Sequence, residues 1–328
     1  MNINPLKAPD NEASIMEHWK YTDKVYISCV CITYNQENYI KDAVDGMLAQ
    51  ITDYRFEIII HDDKSTDSTR EILLEYKKKY PNLIKLVLQD ENQYQKGKKI
   101  TPLAIAEAIG EYIALCEGDD YWIDNEKLQK QINNLYQNSN INLIITPAIS
   151  LYPDGNTKDF CNLGKSQKLI AFDDCILGPV QDFFPTASFF FKKELMSCLP
   201  KWYYSDAPVG DYYMQLYFSF PNGCLYIPST MVVYRREAIN SWTSRTNEIK
   251  YLADLHKRVS LIDNLKLDFG KNFYLSVKKV IYLKSMLNIS IKNKKVFLTS
   301  KILLEIFKLT PTIFKYMAIK TKKNKKHD

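Results

Sequence analysis

The sequence YIALCEGDDYW, which spans residues 112 to 122, joins an apolar run to three carboxylates within four positions. The apolar run is typical of a buried strand, and Gly118 allows the chain to turn sharply where that strand ends. Glu117, Asp119 and Asp120 would repel one another at neutral pH unless a cation or several hydrogen-bond donors lay among them. Because hard divalent cations prefer carboxylate oxygens, the cluster favours a metal site. The alternative is a solvated acidic turn that caps the following helix.

Three similar units precede this stretch, each an apolar strand followed by a helix. Strands are expected at 25–33, 56–60, 84–88 and 111–116, and helices at 39–50, 65–80 and 102–109. The strands are continuous apolar runs, the pattern of strands that are buried on both faces. Four strands that alternate with helices predict an α/β fold with a mostly parallel, doubly wound sheet flanked by helices. Later in the chain, a further strand is expected at 142–150, and the run at 183–191 is apolar and β-prone.

Polar residues follow each of these strands. They are Tyr34, Asp62, Asp63, Asp90, Glu117, Asp119 and Asp120. In doubly wound sheets ligands bind beyond the carboxyl ends of the strands, so these side chains are expected to line one crevice. Each also has a structural alternative, such as a helix cap or a turn residue. The sequence contains no Gly-x-Gly-x-x-Gly or Walker loop, and we therefore expect a metal to bind the phosphates of a nucleotide there.

The chain has 328 residues, of which 46% are hydrophobic, and this is enough for one large domain and an appendage. We expect an N-terminal arm at 1–24, a large domain at 25–244 with halves at 25–122 and 123–244, and a helical, lysine-rich region at 245–328. No run of eighteen apolar residues occurs and the first thirty residues are polar and mixed in charge. The sequence therefore predicts neither a membrane span nor a signal peptide, and a cytoplasmic location is expected.

The cysteines and histidines of the chain are not spaced as zinc ligands usually are. The seven cysteines form no Cys-x-x-Cys pair, and the four histidines have no paired spacing. Several cysteines lie in apolar runs, so we expect buried thiols in a reducing compartment.

Positive charge is concentrated at the C-terminal end. After residue 270 there are fifteen lysines and two acidic residues, a net charge of +13 in a chain whose total is +6. Lys294, Lys301, Lys308, Lys315 and Lys322 recur every seven residues among apolar residues and predict a basic stripe on a helix at 296–319, interrupted by Pro311. Two interpretations are open: a helix packed on the body with a solvated lysine side, or a helix that lies on anionic lipid. The acidic body and the lack of interleaved arginine argue against nucleic acid.

Three motifs after these strands resemble one family. They are Ile32-Thr33-Tyr34-Asn35, Asp62-Asp63-Lys64-Ser65-Thr66-Asp67 and Glu117-Gly118-Asp119-Asp120-Tyr121-Trp122. Together they resemble the nucleotide-sugar domain of family 2 glycosyltransferases of the GT-A fold. The resemblance extends more weakly through 185–188, 209–213 and 234–236, and it covers about two thirds of the chain.

The resemblance implies a set of residues at a nucleotide sugar. The residues are Thr33, Tyr34, Glu37, Asp62, Asp63, Lys98, Glu117, Asp119, Arg235 and Arg236. Thr33 and Tyr34 would flank the nucleotide, and Asp62 or Asp63 would hydrogen-bond a pyrimidine base. Glu117 and Asp119 occupy the positions of the family's Asp-x-Asp motif, with Glu in the first place. The expected ligands of Mn²⁺ or Mg²⁺ are Asp119, Asp120 and Glu117. Glu237 stands where many relatives have His, which leaves pyrophosphate contacts to Arg235 or Arg236.

Asp211 is the expected general base. It lies in Val209-Gly210-Asp211-Tyr212-Tyr213, where an N-cap is the structural alternative. Trp202 and Trp242 are aromatic residues near loops and are expected to stack against the acceptor sugar, with ordinary packing as the alternative.

The sequence thus predicts an inverting glycosyltransferase that uses a UDP- or dTDP-sugar and a divalent cation. The acceptor would be a hydroxyl of a growing surface glycan, such as capsule or lipopolysaccharide, or of a lipid-linked oligosaccharide, presented at the inner face of the plasma membrane. One alternative is a sugar nucleotidyltransferase, but residues 34–38 are not the glycine-rich, basic loop that this class needs. Another alternative is a non-catalytic scaffold that binds nucleotide sugar or glycan. The presence of a candidate base, Asp211, is evidence against this alternative. The oligomeric state stays open.

Overall fold

Two units make up the chain in the computed structural model, which describes residues 3–178, 183–239, 241 and 247–324. The first unit comprises residues 1–205 and 210–245, and the second comprises residues 206–209 and 246–328.

The first unit is built on a sheet of eight strands. Its first half contains β1 (Ile27–Thr33), β2 (Phe56–Asp62), β3 (Ile84–Leu88) and β4 (Tyr112–Glu117), which are parallel in the order β3-β2-β1-β4. Its second half contains β6 (Leu143–Ile145), β9 (Lys168–Ile170), β10 (Phe190–Lys192) and β11 (Cys224–Tyr226), in the order β10-β6-β11-β9. β10 runs antiparallel to both β4 and β6. The predicted α/β class, with a mostly parallel sheet flanked by helices, is confirmed.

A second sheet begins where the acidic turn ends. It contains β5 (Tyr121–Trp122), β7 (Ala148–Leu151), β8 (Thr157–Phe160) and β12 (Val232–Arg235), in the order β5-β12-β7-β8. β5 pairs antiparallel with β12, and this pairing brings the chain around Arg235 to the acidic turn.

Helices connect these strands. They are α1 (Ala13–Met16), α2 (Ile40–Leu48), α3 (Thr69–Lys79), α4 (Ile100–Ala106), α5 (Lys127–Gln137), α6 (Phe172–Leu177), α7 (Lys201–Ser205) and α8 (Asp211–Ser219). Short 3₁₀ turns lie at Thr186–Ser188 and Lys193–Cys198. α2 buries Ala43, Val44, Met47 and Leu48 on one side, as its amphipathic sequence requires. α8 is buried from Tyr212 to Ser219 and forms part of the core.

Two strand predictions need correction. The single strand expected at 142–150 is two strands, β6 and β7, which belong to different sheets and are separated by Thr146 and Pro147. The apolar run at 183–191 is strand only from Phe190, because it contains Pro185 and a 3₁₀ turn. The seven cysteines are free thiols and all except Cys198 are buried, as expected from their apolar surroundings.

The second unit is helical. It contains α9 (Glu248–Asp268), α10 (Phe273–Lys292), α11 (Val296–Lys308) and α12 (Thr310–Asn324). Side-chain oxygens of Asn247 and Asn272 cap α9 and α10 by accepting from Lys250 N and Tyr274 N. In the part of the chain that the structure describes, no helix is long and apolar enough to cross a bilayer.

The helix predicted at 296–319, with an interruption at Pro311, is two helices in the structure, and α11 and α12 are separated at Leu309. Pro311 has no N–H to continue the ladder and is tolerated only in a first turn, so a new helix begins just before it. The lysine stripe is consequently not on one helix. Lys294 lies between α10 and α11 with φ at 53°, Lys301 and Lys308 lie on α11, and Lys315 lies on α12. The side chain of Lys322 lies outside the described residues.

Candidate functional site

The acidic turn connects β4 in the main sheet to β5 in the second sheet. Gly118 N donates to Ile32 O at 3.0 Å, which ties the turn to the end of β1. A Cβ at Gly118 would lie 2.8 Å from Thr33 Oγ1 and 2.9 Å from Thr33 Cβ, and it would also collide with Gln36. Only glycine allows this close approach, so the first motif and the acidic motif fit against each other.

The carboxyl groups of the turn lie in surroundings that make their ionisation unfavourable. Burial raises the pKa of Glu117 well above its usual range, and the charges of Asp120, Asp119 and Asp211 add to this effect. Burial likewise raises the pKa of Asp120, with Asp119 contributing. Within the described residues, Glu117 Oε2 and Asp120 Oδ2 are buried without a hydrogen-bond partner. Such atoms are destabilising unless a cation or donor satisfies them.

Arg235 supports the turn from β12. Its backbone N donates to Asp120 Oδ1 at 2.9 Å, and its guanidinium donates to Asp119 O at 3.0 Å and pairs with Asp42. The guanidinium also lies over the ring of Tyr121, at 4.4 Å from the ring centroid. Much of the donor capacity of Arg235 is therefore used within the protein, and its predicted contact with pyrophosphate stays a prediction.

Arg236 points to the second sheet. Its Nε donates to Ser150 Oγ at 3.0 Å, and its guanidinium lies over the rings of Phe160 and Tyr234, at 4.7 and 4.5 Å from the centroids. Glu237 follows with φ at 56°, a left-handed conformation that is uncommon for a residue with a side chain.

The loops after β1 and β2 are held to each other by side chains. Asn35 N donates to Ser65 Oγ at 2.9 Å, and Asn35 Oδ1 accepts from Thr66 N at 2.7 Å. Glu37 Oε2 accepts from Ser68 N at 2.9 Å, at the start of α3. Thr33 Oγ1 donates to Gln36 Oε1 at 2.8 Å. The structure thus places the loop that contains Thr33, Tyr34 and Glu37 beside the loop that follows Asp62 and Asp63, and the binding of a nucleotide there stays a prediction.

Asp62 and Asp63 both have partners inside the protein. Asp62 Oδ2 accepts from Arg70 Nε at 2.8 Å and from Arg70 Nη2 at 2.7 Å. Asp63 Oδ1 accepts from Gln93 N at 2.7 Å, and Asp63 Oδ2 accepts from Tyr94 N at 3.0 Å. Asp63 therefore orders the loop that contains Lys98. Recognition of a base by either carboxylate stays a prediction.

Asp211 begins α8, but Gly210 and not Asp211 is the N-cap residue. Asp211 Oδ1 accepts from Tyr212 N at 2.7 Å, and its side chain is half-buried. Its charge raises the pKa of Glu117, so the structure brings Asp211 near the acidic turn.

The predicted acceptor residues are less informative. The Trp202 ring contacts Tyr213 and Tyr217 of α8 edge-on, at centroid distances of 5.3 and 6.1 Å. This is a packing role, and stacking on a sugar stays a prediction. Trp242 lies outside the described residues.

A buried network behind the turn was missed by sequence reasoning. Lys127 is fully buried, its Nζ donates to Gln131 Oε1 at 2.7 Å, and it lies over the Trp122 ring at 4.0 Å. Gln131 Nε2 donates to Ser188 O at 2.8 Å, and Trp122 Nε1 donates to Ala187 O at 3.1 Å. These bonds fix the 3₁₀ turn whose Thr186 side chain hydrogen-bonds Glu117. The signal was a lysine and a glutamine four apart on the apolar side of α5.

Two cavities and the arrangement of possible metal ligands give further information about the described residues. In the described ranges no group of three or more His, Cys, Asp or Glu side chains is arranged to hold a metal. A cavity of about 260 Å³ lies between the N-terminal arm and residues that include Gln50 and Asn125, and one of about 350 Å³ is lined by residues that include Trp19, Phe56 and Ile109. Neither of these two cavities is lined by a predicted site residue.

Comparisons with known proteins agree with the architecture. The family named Glycosyl transferase family 2 matches residues 28–242, and the chain therefore belongs to this family. An uncharacterized protein of Mycobacterium tuberculosis is 36% identical over 225 residues, which cover 66% of this chain and 61% of that protein. The chain thus matches about three fifths of the length of such relatives. The UDP-Glc:alpha-D-GlcNAc-diphosphoundecaprenol beta-1,3-glucosyltransferase of Escherichia coli is 34% identical over 118 residues, which cover 36% of this chain and 44% of that protein.

A solved structure with the same fold is a mannosyltransferase from Pyrobaculum calidifontis in complex with GDP-Man and Mn²⁺. Its TM-score is 0.53 at 16% identity, over 95% of this chain and 86% of that chain. This similarity concerns the fold and confirms the predicted GT-A architecture.

The buried Lys127 makes a testable contribution to stability. Burial lowers the pKa of Lys127 from its usual 10.5 to about 8. Between about pH 8 and 10.5 the unfolded chain binds the proton and the folded chain does not, so the contribution of Lys127 to the free energy of unfolding rises with pH there, by at most about 1.4 kcal/mol per pH unit. We expect the free energy of unfolding of the wild type, minus that of Lys127→Met, to rise with pH over this range when both are measured by denaturant unfolding.

The matched control is Lys78→Met, at an exposed position on α3. The difference between wild type and this control is expected to stay flat over the same pH range. A flat difference for Lys127→Met as well would contradict the assignment of a lowered pKa to the buried ammonium.

Proposed function

We propose that the chain is an inverting glycosyltransferase that moves a sugar from a UDP- or dTDP-sugar to an acceptor hydroxyl. One observation supports the proposal: carboxylates from two elements of the fold lie near one another. Glu117, Asp119 and Asp120 follow β4, and Asp211 begins α8 with its charge near enough to affect Glu117. One group of carboxylates suits a cation at the leaving diphosphate, and the other suits a base for the acceptor.

The donor is proposed from the resemblance and the relatives. The E. coli relative is named for UDP-Glc, and the archaeal structure contains GDP-Man, so a nucleoside diphosphate sugar is the common chemistry. The crevice beside Thr33 and Tyr34, which the bonds between the two loops hold in shape, is the proposed nucleotide site. Rigid loops reduce the entropy that is lost on binding.

The acidic turn fits a divalent cation such as Mn²⁺ or Mg²⁺. Two buried carboxylate oxygens in the described chain lack a partner, and burial together with mutual repulsion raises the pKa values of Glu117 and Asp120. A cation would satisfy the oxygens and offset the repulsion. The absence of a three-ligand cage among the described residues is compatible with this, because Mg²⁺ is usually held by one or two carboxylates together with substrate phosphates. Asp119 and Glu117, with Asp120 beside them, would hold the ion. When bound, it would neutralise charge that develops on the leaving diphosphate.

Asp211 is the proposed base. The acceptor oxygen forms a bond to the anomeric carbon while the bond from that carbon to the diphosphate oxygen breaks, and the hydroxyl proton passes to Asp211. Attack from the side opposite the leaving group inverts the anomeric centre. The bond from Tyr212 N fixes one oxygen of Asp211, and a fixed carboxylate is a more effective base.

The proposed acceptor is a hydroxyl of a growing surface glycan or of a lipid-linked oligosaccharide. The E. coli relative supports this because its name includes a diphosphoundecaprenol acceptor. An acceptor of this kind would be presented at the inner face of the plasma membrane, and the proposal therefore places the enzyme at that surface.

Metal dependence is tested by replacing Asp119. In Asp119→Asn, the side chain keeps its size but loses the charge that a cation needs, so the gain in UDP affinity on adding Mn²⁺ is expected to disappear. Titration calorimetry with UDP, with and without Mn²⁺, measures this gain. The exposed Asp10→Asn is the matched control and should keep it. An undiminished gain in Asp119→Asn would show that the metal site is elsewhere.

The base is tested by Asp211→Asn, because the amide oxygen can still accept from Tyr212 N but the side chain cannot take a proton. We expect transfer to slow at least a hundredfold, within the range of about 10² to 10⁴ that general bases contribute. Melting temperature and UDP affinity should match those of the wild type. Wild-type turnover in this variant would remove Asp211 from the mechanism and direct attention to Asp206 and Glu237. Absence of transfer in the wild type across several UDP- and dTDP-sugars would favour a non-catalytic scaffold.

A further inference from the structure

The outer sides of α11 and α12 are exposed and apolar. The bulky residues on them are Val296, Phe297, Leu303, Leu304, Phe307, Phe314 and Met317. Phe297 is 84% exposed, Phe307 is 76% exposed and Leu304 is 64% exposed. A helix that is apolar on most of its circumference is normally buried, so we expect a binding partner to cover this surface.

The exposed residues are not needed for the packing of the helix. At 100° per residue, Phe297, Leu304, Phe307, Val296 and Leu303 fall within an arc of roughly 120°. Ile302, on the opposite side, is buried. The inner side is also fixed by a bond between Thr299 Oγ1 and Ser290 Oγ of α10 at 2.7 Å. The apolar arc is therefore a surface that faces away from the core of this unit.

Lysines border the arc. Lys301 and Lys308 lie next to Phe297 and Leu304 on α11, within roughly 60° of them around the helix. Across residues 294–321, six lysines are exposed, namely Lys294, Lys295, Lys301, Lys308, Lys315 and Lys320. The single acidic residue in that segment, Glu305, lies 3.9 Å from Lys279 of α10. The outer surface thus combines large apolar groups with an excess of positive charge.

We propose that this surface, the outer sides of α11 and α12 with their bordering lysines, binds an anionic lipid bilayer. The apolar side chains would enter the interfacial region, and the lysines would reach the phosphate groups of the lipids. The proposal rests on the proposed function and deepens it, since it names the part of the chain that holds the enzyme where a lipid-linked acceptor is presented.

Charge argues for a bilayer and against a second copy of the chain. Two copies that met through this surface would bring lysines against lysines, with only Glu305 in the segment to compensate. An anionic bilayer offers negative charge and an apolar interior together, and it matches both properties of the surface.

The test uses the full chain and sedimentation with vesicles. We expect binding to vesicles that contain phosphatidylglycerol, weak binding to phosphatidylcholine vesicles, and loss of binding as salt rises. The triple change Phe297→Ser, Leu304→Ser and Phe307→Ser, and separately the double change Lys301→Glu and Lys308→Glu, are each expected to raise the lipid concentration at half-binding by about tenfold or more.

Matched controls carry the same changes at exposed positions elsewhere. They are the triple change Leu74→Ser, Ile109→Ser and Leu169→Ser, and the double change Lys78→Glu and Lys158→Glu, and they should bind vesicles like the wild type. Affinity for UDP, measured on the same preparations, is expected to be equal in all variants. This second measurement separates the two proposals, because it reports on the crevice and not on the vesicles.

Either of two results would overturn the inference. One is equal sedimentation of the wild type and the two outer-surface variants with phosphatidylglycerol vesicles. The other is a dimer in sedimentation velocity that the triple change abolishes, in a protein that does not bind vesicles. The second result would assign the surface to a second copy.

Discussion

Repulsion among the carboxylates of Glu117, Asp119 and Asp120 is the constraint on which the rest of the first unit depends. Ionisation of three carboxyl groups at one strand end is unfavourable, and nearby positive and polar groups offset part of that cost. Arg235 brings its guanidinium and its backbone N to the turn from another sheet. Gly118 allows the turn to fit against Thr33, and Thr186 donates to Glu117. The second sheet thus serves the acidic turn as well as the core.

The fold could be predicted from the sequence where local pattern and burial agree. β1, β2 and β4 lie within about two residues of their predicted ranges, because continuous apolar runs that are buried on both faces are a clear signal. β3 at Ile84–Leu88 matches its predicted range although it is an edge strand that is only partly buried. The prediction was wrong where an apolar run is buried without forming a strand. The apolar run at 183–191 is buried without being mostly strand. The interruption predicted at Pro311 does occur, because proline cannot continue the hydrogen-bond ladder, and α12 begins at Thr310.

The candidate site could be located from the sequence, but its internal bonding could not. The ends of neighbouring parallel strands bring the acidic residues to the same edge of the sheet, and this prediction needs only topology. The pairing of Arg235 with Asp42 joins residues 193 positions apart, and no local pattern predicts such a partner. The same holds for Asp63, whose carboxylate accepts from two backbone amides of a distant loop. Lys127 was hidden for a different reason, because a lysine on a helix is usually exposed.

These internal partners distinguish the carboxylates of the turn from one another. Asp120 is 1% exposed, and one of its oxygens accepts from Arg235 N, so its main role is to fix the turn to β12. Asp119 is half-buried, and its backbone carbonyl accepts from the Arg235 guanidinium, which ties the backbone of the turn to the same arginine. The proposed cation would meet Asp119, which is the more exposed of the two aspartates, and Asp120, whose buried Oδ2 has no hydrogen-bond partner in the described chain. The bond from Arg235 N to the other oxygen of Asp120 fixes the orientation of that carboxylate, so the shape of the turn would also position the ion.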